Sequence, residues 1–186
     1  YRIPSRGGAP ETLTTPDTAN GDAGHFWPSL LPGGKAVLFA SHRGGSAAGG
    51  MQLAVLHLDT RGVKPVSVEG LDPQYTLADG GSVVYAQSDG SILAHRFDAR
   101  ALTLAGSPRR VAERTNVAFG ALPAFAVSRT GTLAYQPGRE RQTLVWVDRS
   151  GRERELFSVP AAWNPRIAPT GDRIVFARAR DSLLTT

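Results

Sequence analysis

The sequence predicts an all-β fold of repeated four-stranded antiparallel sheets. An apolar run opened by proline, a glycine turn and a run of β-branched and aromatic residues recur in four copies, Trp27–Phe39, Asp72–Tyr85, Leu122–Tyr135 and Asn164–Phe176. A second pair of candidate strands fills each interval between copies. A period of roughly 40 to 50 residues, each carrying several strands, is the sequence mark of a β-propeller. A proline in every copy, with Val, Ile, Phe and Tyr closing it, is poor helix material, so almost no helix is expected.

Taken in order, each period reads as strands a to d of one blade, joined as a meander. In the first interval strand c is Gln52–Asp59, which turns through Thr60–Gly62 into strand d at Lys64–Val68. The second interval gives Gly90–Asp98 and Ser107–Val111, and the third gives Gln142–Asp148 and Glu153–Leu156. Tyr1–Leu13 reads as strands c and d around a Gly-Gly turn, and Asn164–Ala179 supplies only strands a and b. The expected organisation is one partial propeller domain over 1–186: half blade 1–16, blades 26–68, 72–111 and 121–156, and half blade 163–179. The two cut blades either pair as a closing blade or leave edges for missing blades or another copy, a route to a homo-oligomer.

Local chemistry supports these elements. Proline cannot donate to a ladder and is tolerated at the first residue of a strand, so Pro28, Pro73, Pro123 and Pro165 are expected where each innermost strand begins. Asp59, Asp98 and Asp148 close strand c, where a carboxylate can accept from backbone N–H groups two residues on. Trp146, between two valines in mid-strand, is expected in the core.

Composition narrows the function. With 41% hydrophobic residues the chain is that of a folded domain, and 21 glycines and 13 prolines sit between the apolar runs as turn residues. The net charge is +5, but the arginines are spread along the chain, with neither stacking aromatics nor a groove-reading helix, so a nucleic-acid surface is not expected. The absence of cysteine removes disulfides, thiolate nucleophiles and thiolate-bound zinc. No apolar stretch approaches the ~18 residues that cross a bilayer, so the segment itself is expected to make no membrane contact. The start, Tyr1-Arg2-Ile3-Pro4, has neither an initiator methionine nor a signal-peptide pattern, and the chain reads as a piece of a longer one.

No catalytic constellation emerges, and no cofactor or metal is expected. Kinase chemistry needs a strand lysine, an His-Arg-Asp loop and a metal-binding aspartate. Ser41-His42-Arg43-Gly44 lacks the aspartate, and Lys35 and Lys64 are the only lysines. The glycine-rich tract Gly44–Gly50 runs into a strand pattern rather than Gly-Lys-Ser and a helix, so it is a loop and not a phosphate cradle. There is no Gly-x-Ser-x-Gly elbow. His57 and His95 occupy the same place in strand c of two blades, which signifies repetition rather than a metal pair.

The candidate ligand site lies before strand a, the strand nearest a propeller's axial channel. His25 and Trp27 stand there in the first copy, Asp72 in the second, Ala121 and Leu122 in the third, and Trp163 and Asn164 in the fourth. His25, Trp27, Asp72, Trp163 and Asn164 are expected to ring one mouth of the channel. The plainer alternative is that Trp27 and Trp163 wedge between neighbouring blades.

The pattern Pro-x-x-x-Pro-x-Gly-x-x-Ile/Val-x-Phe resembles the TolB-type, WD-repeat-like propeller repeat. Its Ser-Pro-Asp-Gly turn is replaced here by Pro32-Gly33-Gly34, Ala78-Asp79-Gly80, Arg129-Thr130-Gly131 and Pro169-Thr170-Gly171. Longer phrases, Tyr1–Gly8, Gly24–Gly34, Ala126–Tyr135 and Leu144–Gly151, are similar to the propeller region that follows the kinase domain in bacterial serine/threonine receptor-like protein kinases. That resemblance implies a non-catalytic sensor or interaction module on the extracytoplasmic side, with a protein or small-molecule ligand. The same repeat occurs in periplasmic translocation proteins and ahead of prolyl-oligopeptidase-type hydrolases, so a scaffold or a gating propeller are the alternatives.

Overall fold

The computed structural model describes residues 1–44, 50–118, 122–138, 142–159, 162–171 and 173–178, with only the backbone at 118, 142, 162, 163 and 178. Most of the glycine-rich tract (45–49), Ala121 and Ala179 lie outside the described residues. The chain is all-β: strands alternate with turns, and the described residues contain no α-helix, only short 3₁₀ turns at Thr18–Asn20 and Ala78–Gly80. Residues 1–138 and 139–186 form two compact units.

In the first unit, β1 (Asp22–Leu30), β2 (Ala36–Arg43), β3 (Met51–His57) and β4 (Val63–Glu69) form one antiparallel four-stranded meander. A second is formed by β5 (Leu71–Thr76), β6 (Ser82–Ala86), β7 (Ile92–Asp98) and β8 (Thr103–Ala112). Each has the form of a propeller blade. The third copy is shorter: β9 (Val117–Ala118) pairs with β10 (Leu122–Pro123), and β11 (Phe125–Val127) pairs with β12 (Leu133–Tyr135).

The sheets pack face to face. Leu38 and Ala40 of β2, with Leu53 and Val55 of β3, share a core with Leu71, Val83, Tyr85 and Ile92 of the second sheet and with Phe125 of β11. Burying each large aliphatic side chain contributes roughly 1.5–3 kcal/mol. The alternate residues Phe39, Ala54 and Leu56 face the other way and form a smaller cluster with Leu13, Val37 and Leu58.

Strand a carries a bulge in three copies. On β1, Phe26 pairs with Ala40 and Ser29 with Leu38, so Trp27 and Pro28 together oppose Phe39. On β5, Asp72 and Pro73 oppose Tyr85. In the second unit, β15 (Ala162–Ile167) pairs with β16 (Ile174–Arg178), and Asn164 and Pro165 oppose Phe176. The residue before each proline is left-handed, with φ of 50° at Trp27, 49° at Asp72 and 54° at Asn164. The prolines therefore sit inside strand a, not at its first residue as the sequence suggested. A bulge leaves its extra residue out of the ladder, so the missing proline N–H forfeits no pairing bond. Pro123 departs from this pattern and ends the two-residue strand β10.

The expected strands c and d at the N-terminus reduce to one antiparallel bridge, Arg2 to Glu11, joined by two 2.8 Å backbone bonds. Pro4 and Pro10 flank it and supply no donors to extend the ladder. The Arg2 guanidinium holds the Glu11 carboxylate at 2.5 Å, and Arg61 donates to its other oxygen.

The aspartates after strand c shape their turns in two copies. Asp98 accepts from the N–H of Arg100 (2.8 Å) and Ala101 (3.0 Å), and Asp148 accepts from those of Ser150 (2.8 Å) and Arg152 (3.1 Å). In the first turn Thr60 Oγ1 accepts the Gly62 N–H at 3.3 Å, and Arg61, rather than the glycine, takes the positive φ of 59°.

The second unit also contains the hairpin of β13 (Gln142–Val147) and β14 (Glu153–Val159). Phe157 of β14 meets Phe176 of β16 with ring centroids 5.5 Å apart. Trp146 is 38% exposed, contrary to its expected core position. A two-stranded hairpin presents two faces and cannot cover both from within.

Candidate functional site

The residues before strand a do not form one cluster in the first unit. His25 sits between the N-terminal segment and the first sheet: its Nε2 lies 2.7 Å from Asp22 Oδ2 and its Nδ1 lies 2.8 Å from Thr14 Oγ1. The ring meets Phe39 edge-on at 4.8 Å, on the face of the smaller cluster. Trp27 instead packs against the core shared with the second sheet, beside Phe26 at 5.6 Å. The left-handed residue at the bulge breaks the alternation that would have put both side chains on one face.

The carboxylate–imidazole–hydroxyl chain through Asp22, His25 and Thr14 has the order of an orienter, a base and a nucleophile. It is also tied into the fold on both sides. The other Asp22 oxygen accepts from Ser41 Oγ (3.1 Å) and from the Gly24 N–H (3.3 Å), and Leu13, adjacent to Thr14, packs against the Phe39 cluster. Burial pushes the Asp22 carboxyl up, but the bonds from His25, Ser41 and Gly24 outweigh it and hold the group below its usual range.

Asp72 is half-buried, and burial pushes its carboxyl up against the opposing hydrogen bond from Gln74. Gln74 Nε2 donates to Asp72 Oδ2 (2.9 Å) and to the Phe125 carbonyl (3.3 Å), while Gln74 Oε1 accepts the Val127 N–H (2.9 Å). Ser29, also directly after a strand-a proline, accepts the Tyr75 N–H at 3.4 Å. The position after the proline thus reaches strand a of the next sheet in two successive copies. Sequence reading missed Asp22, Thr14 and Gln74; the repeated Pro-polar step at Ser29 and Gln74 was the available signal.

Asn164 lies in the second unit and is exposed, and the Trp163 side chain lies outside the described residues. His95 is not the equivalent of His57. Pairing with β2 and β6 sets His57 opposite Ala36 and Arg96 opposite Ser82, so Arg96 matches His57 and His95 matches Leu56. A shift of one residue changes the face. His95 is accordingly buried at 7% exposure, with Nε2 on the Gly106 carbonyl at 2.9 Å. Among the described residues no group of three or more His, Cys, Asp or Glu side chains is placed to hold a metal ion.

No family model and no curated protein sequence matches the chain. Among solved structures it is similar to TolB from Acinetobacter baumannii, at 23% identity and a TM-score of 0.43, over 87% of this chain and 39% of that one. The chain therefore spans about two fifths of the length of that protein.

Proposed function

We propose that the chain is a non-catalytic propeller interaction module that displays recognition residues at the bulges of strand a. The observation that supports this most directly is the left-handed residue before proline, repeated at Trp27, Asp72 and Asn164. A non-glycine residue held there costs of order 1–3 kcal/mol and persists only where its surroundings over-determine it. The frame is kept while the side chain changes from indole to carboxylate to amide, as suits a rigid scaffold with a variable display. His25, Trp27, Asp72, Trp163 and Asn164 are the residues assigned to recognition, each at or beside its own bulge, the first three in the first unit and the last two in the second.

In this reading the module is the extracytoplasmic part of a bacterial serine/threonine protein kinase, with the kinase chemistry outside these 186 residues. The support is the similarity of Tyr1–Gly8, Gly24–Gly34, Ala126–Tyr135 and Leu144–Gly151 to that family's propeller region. In this reading 26–68 and 72–111 are the four-stranded blades, while 121–156 and the half blades 1–16 and 163–179 are the segments to be completed within the longer chain.

The flanking reading frame tests the assignment. A kinase domain and a membrane-spanning helix upstream support it. An α/β-hydrolase downstream replaces it with a gating propeller, and a signal peptide alone replaces it with a periplasmic scaffold. A partner of the longer chain should lose binding on Trp27→Ala or Asp72→Ala while the circular dichroism spectrum is retained; unchanged binding overturns the bulge surface.

A further inference from the structure

We infer that the second sheet carries a binding site for a small molecule with an oxyanion, carboxylate or phosphate, attached to an apolar body. The site lies at the opposite end of β5 from Asp72, goes beyond the reading above and holds whatever longer chain the module serves.

The β3–β4 ladder ends at Leu56↔Val63, just before its turn, whereas β7–β8 continues past Arg96↔Ala105 through Phe97↔Leu104 to Asp98↔Thr103. This extended arm and the β5–β6 turn line an open cleft of about 580 Å³, a volume within the range of small-molecule pockets. Tyr75 and Phe97 line it as an edge-on pair with centroids 6.3 Å apart. Arg96 and Arg100 line it as well, both exposed and neither in a salt bridge among the described residues. Asp98 is the one carboxylate in the wall, and its Oδ1 is committed to the N–H groups of Arg100 and Ala101.

The walls are built for close approach. A Cβ on Gly81, whose φ is 111°, would stand 2.5 Å from the Tyr75 hydroxyl, so only glycine admits that phenol beside the turn. Arg96 stands where the first sheet has His57. Two exposed guanidinium forks outside any salt bridge among the described residues, Arg100 also attracting the Asp98 carboxylate, line the cleft with the part-exposed Tyr75 ring, which packs edge-on against the buried Phe97; they match a planar oxyanion on an apolar or aromatic body. Phosphate and carboxylate share that chemistry, and the probes below separate them.

The test is an NMR titration of the 186-residue chain with phenylacetate, phenyl phosphate, inorganic phosphate and 2-phenylethanol, read at the Gly81 and Gly106 amides and the arginine side chains. Saturable shifts at these groups, with a Kd of about 1 mM or tighter for phenylacetate or phenyl phosphate, are expected. Inorganic phosphate should bind more weakly, and 2-phenylethanol should not saturate. Arg96→Gln and Arg100→Gln, both at exposed positions, should each weaken binding about tenfold, Arg96→Lys less, and Lys35→Gln not at all. Shifts that do not saturate, that lie elsewhere, or that survive both glutamine variants overturn the proposal.

Discussion

The Gln74 side chain donates to Asp72 at 2.9 Å and accepts the Val127 N–H at 2.9 Å, so one amide joins the bulge of the second sheet to strand β11. Gln74→Leu leaves both a carboxylate and a backbone N–H without their partner. The expected loss is about 1–3 kcal/mol in urea unfolding. Gln74→Glu should cost more at neutral pH, because it places a second carboxylate beside Asp72, and should recover part of that loss in acid.

Asp72 itself carries a pH signature. Its folded-state pKa is raised by burial, so in the window above the unfolded value of 3.8 the folded protein holds more proton there than the unfolded chain. Stability contributed by this group therefore falls as pH rises through that window and is constant below it. Asp72→Asn keeps an acceptor for Gln74 and tolerates the left-handed backbone. It should be at least as stable as the parent at pH 7, with less fall in stability between pH 4 and 7; a less stable variant at pH 7 would show that the charge is needed.

Gly70 is the second-sheet equivalent of His25, and Tyr85 of Phe39. Where the first sheet sets His25 edge-on against Phe39, a Cβ at Gly70 would stand 2.5 Å from Tyr85 Cδ2 in a fully buried ring. Gly70→Ala should destabilise by about 1–3 kcal/mol through overpacking. The buried Tyr85 hydroxyl has no hydrogen-bond partner among the described residues, so Tyr85→Phe should be neutral or stabilising by up to about 1 kcal/mol. Thermal unfolding of the two variants reads both signs.

His25 fastens the N-terminal segment. In His25→Ala, amides near Leu13 and Thr14 should exchange faster, and protease should cut there sooner. Asp22, held low in the parent, contributes stability that is present above pH 3.8 and is lost as pH falls through its lowered folded value. The variant should lose less between neutral pH and acid than the parent. An unchanged exchange pattern near Thr14 would show that the imidazole is not the fastening.

The stacked meanders were legible because period-two apolar runs, glycine turns and the spacing between copies agree with one another. The bulge was not, since a proline signals equally the first residue of a strand and an unpaired position within it. Its other half was in view: Phe39, Tyr85 and Phe176 are the aromatic residues that close each sequence copy, and each opposes the bulge from within strand b. The separation of His25 from Trp27 was hidden because regular alternation puts residues two apart on one face, and the left-handed Trp27 breaks it. Matching His57 with His95 erred by one residue, which the distances to Asp59 and Asp98 already contained. Gln74 went unnoticed because a lone polar residue in a strand carries no sign of a partner some fifty positions away.

Successive strand-a segments are joined sheet to sheet at the position after the bulge proline, through Ser29 and Gln74. The most direct measurement is a nuclear Overhauser and hydrogen-exchange study of the Tyr75 and Val127 amides. Cross-peaks are expected from the Gln74 side-chain amide to the Val127 N–H and from the Ser29 side chain to the Tyr75 N–H, with Val127 protected from exchange. A freely exchanging Val127 amide, together with i to i+3 contacts through Leu53–Leu58, would contradict it.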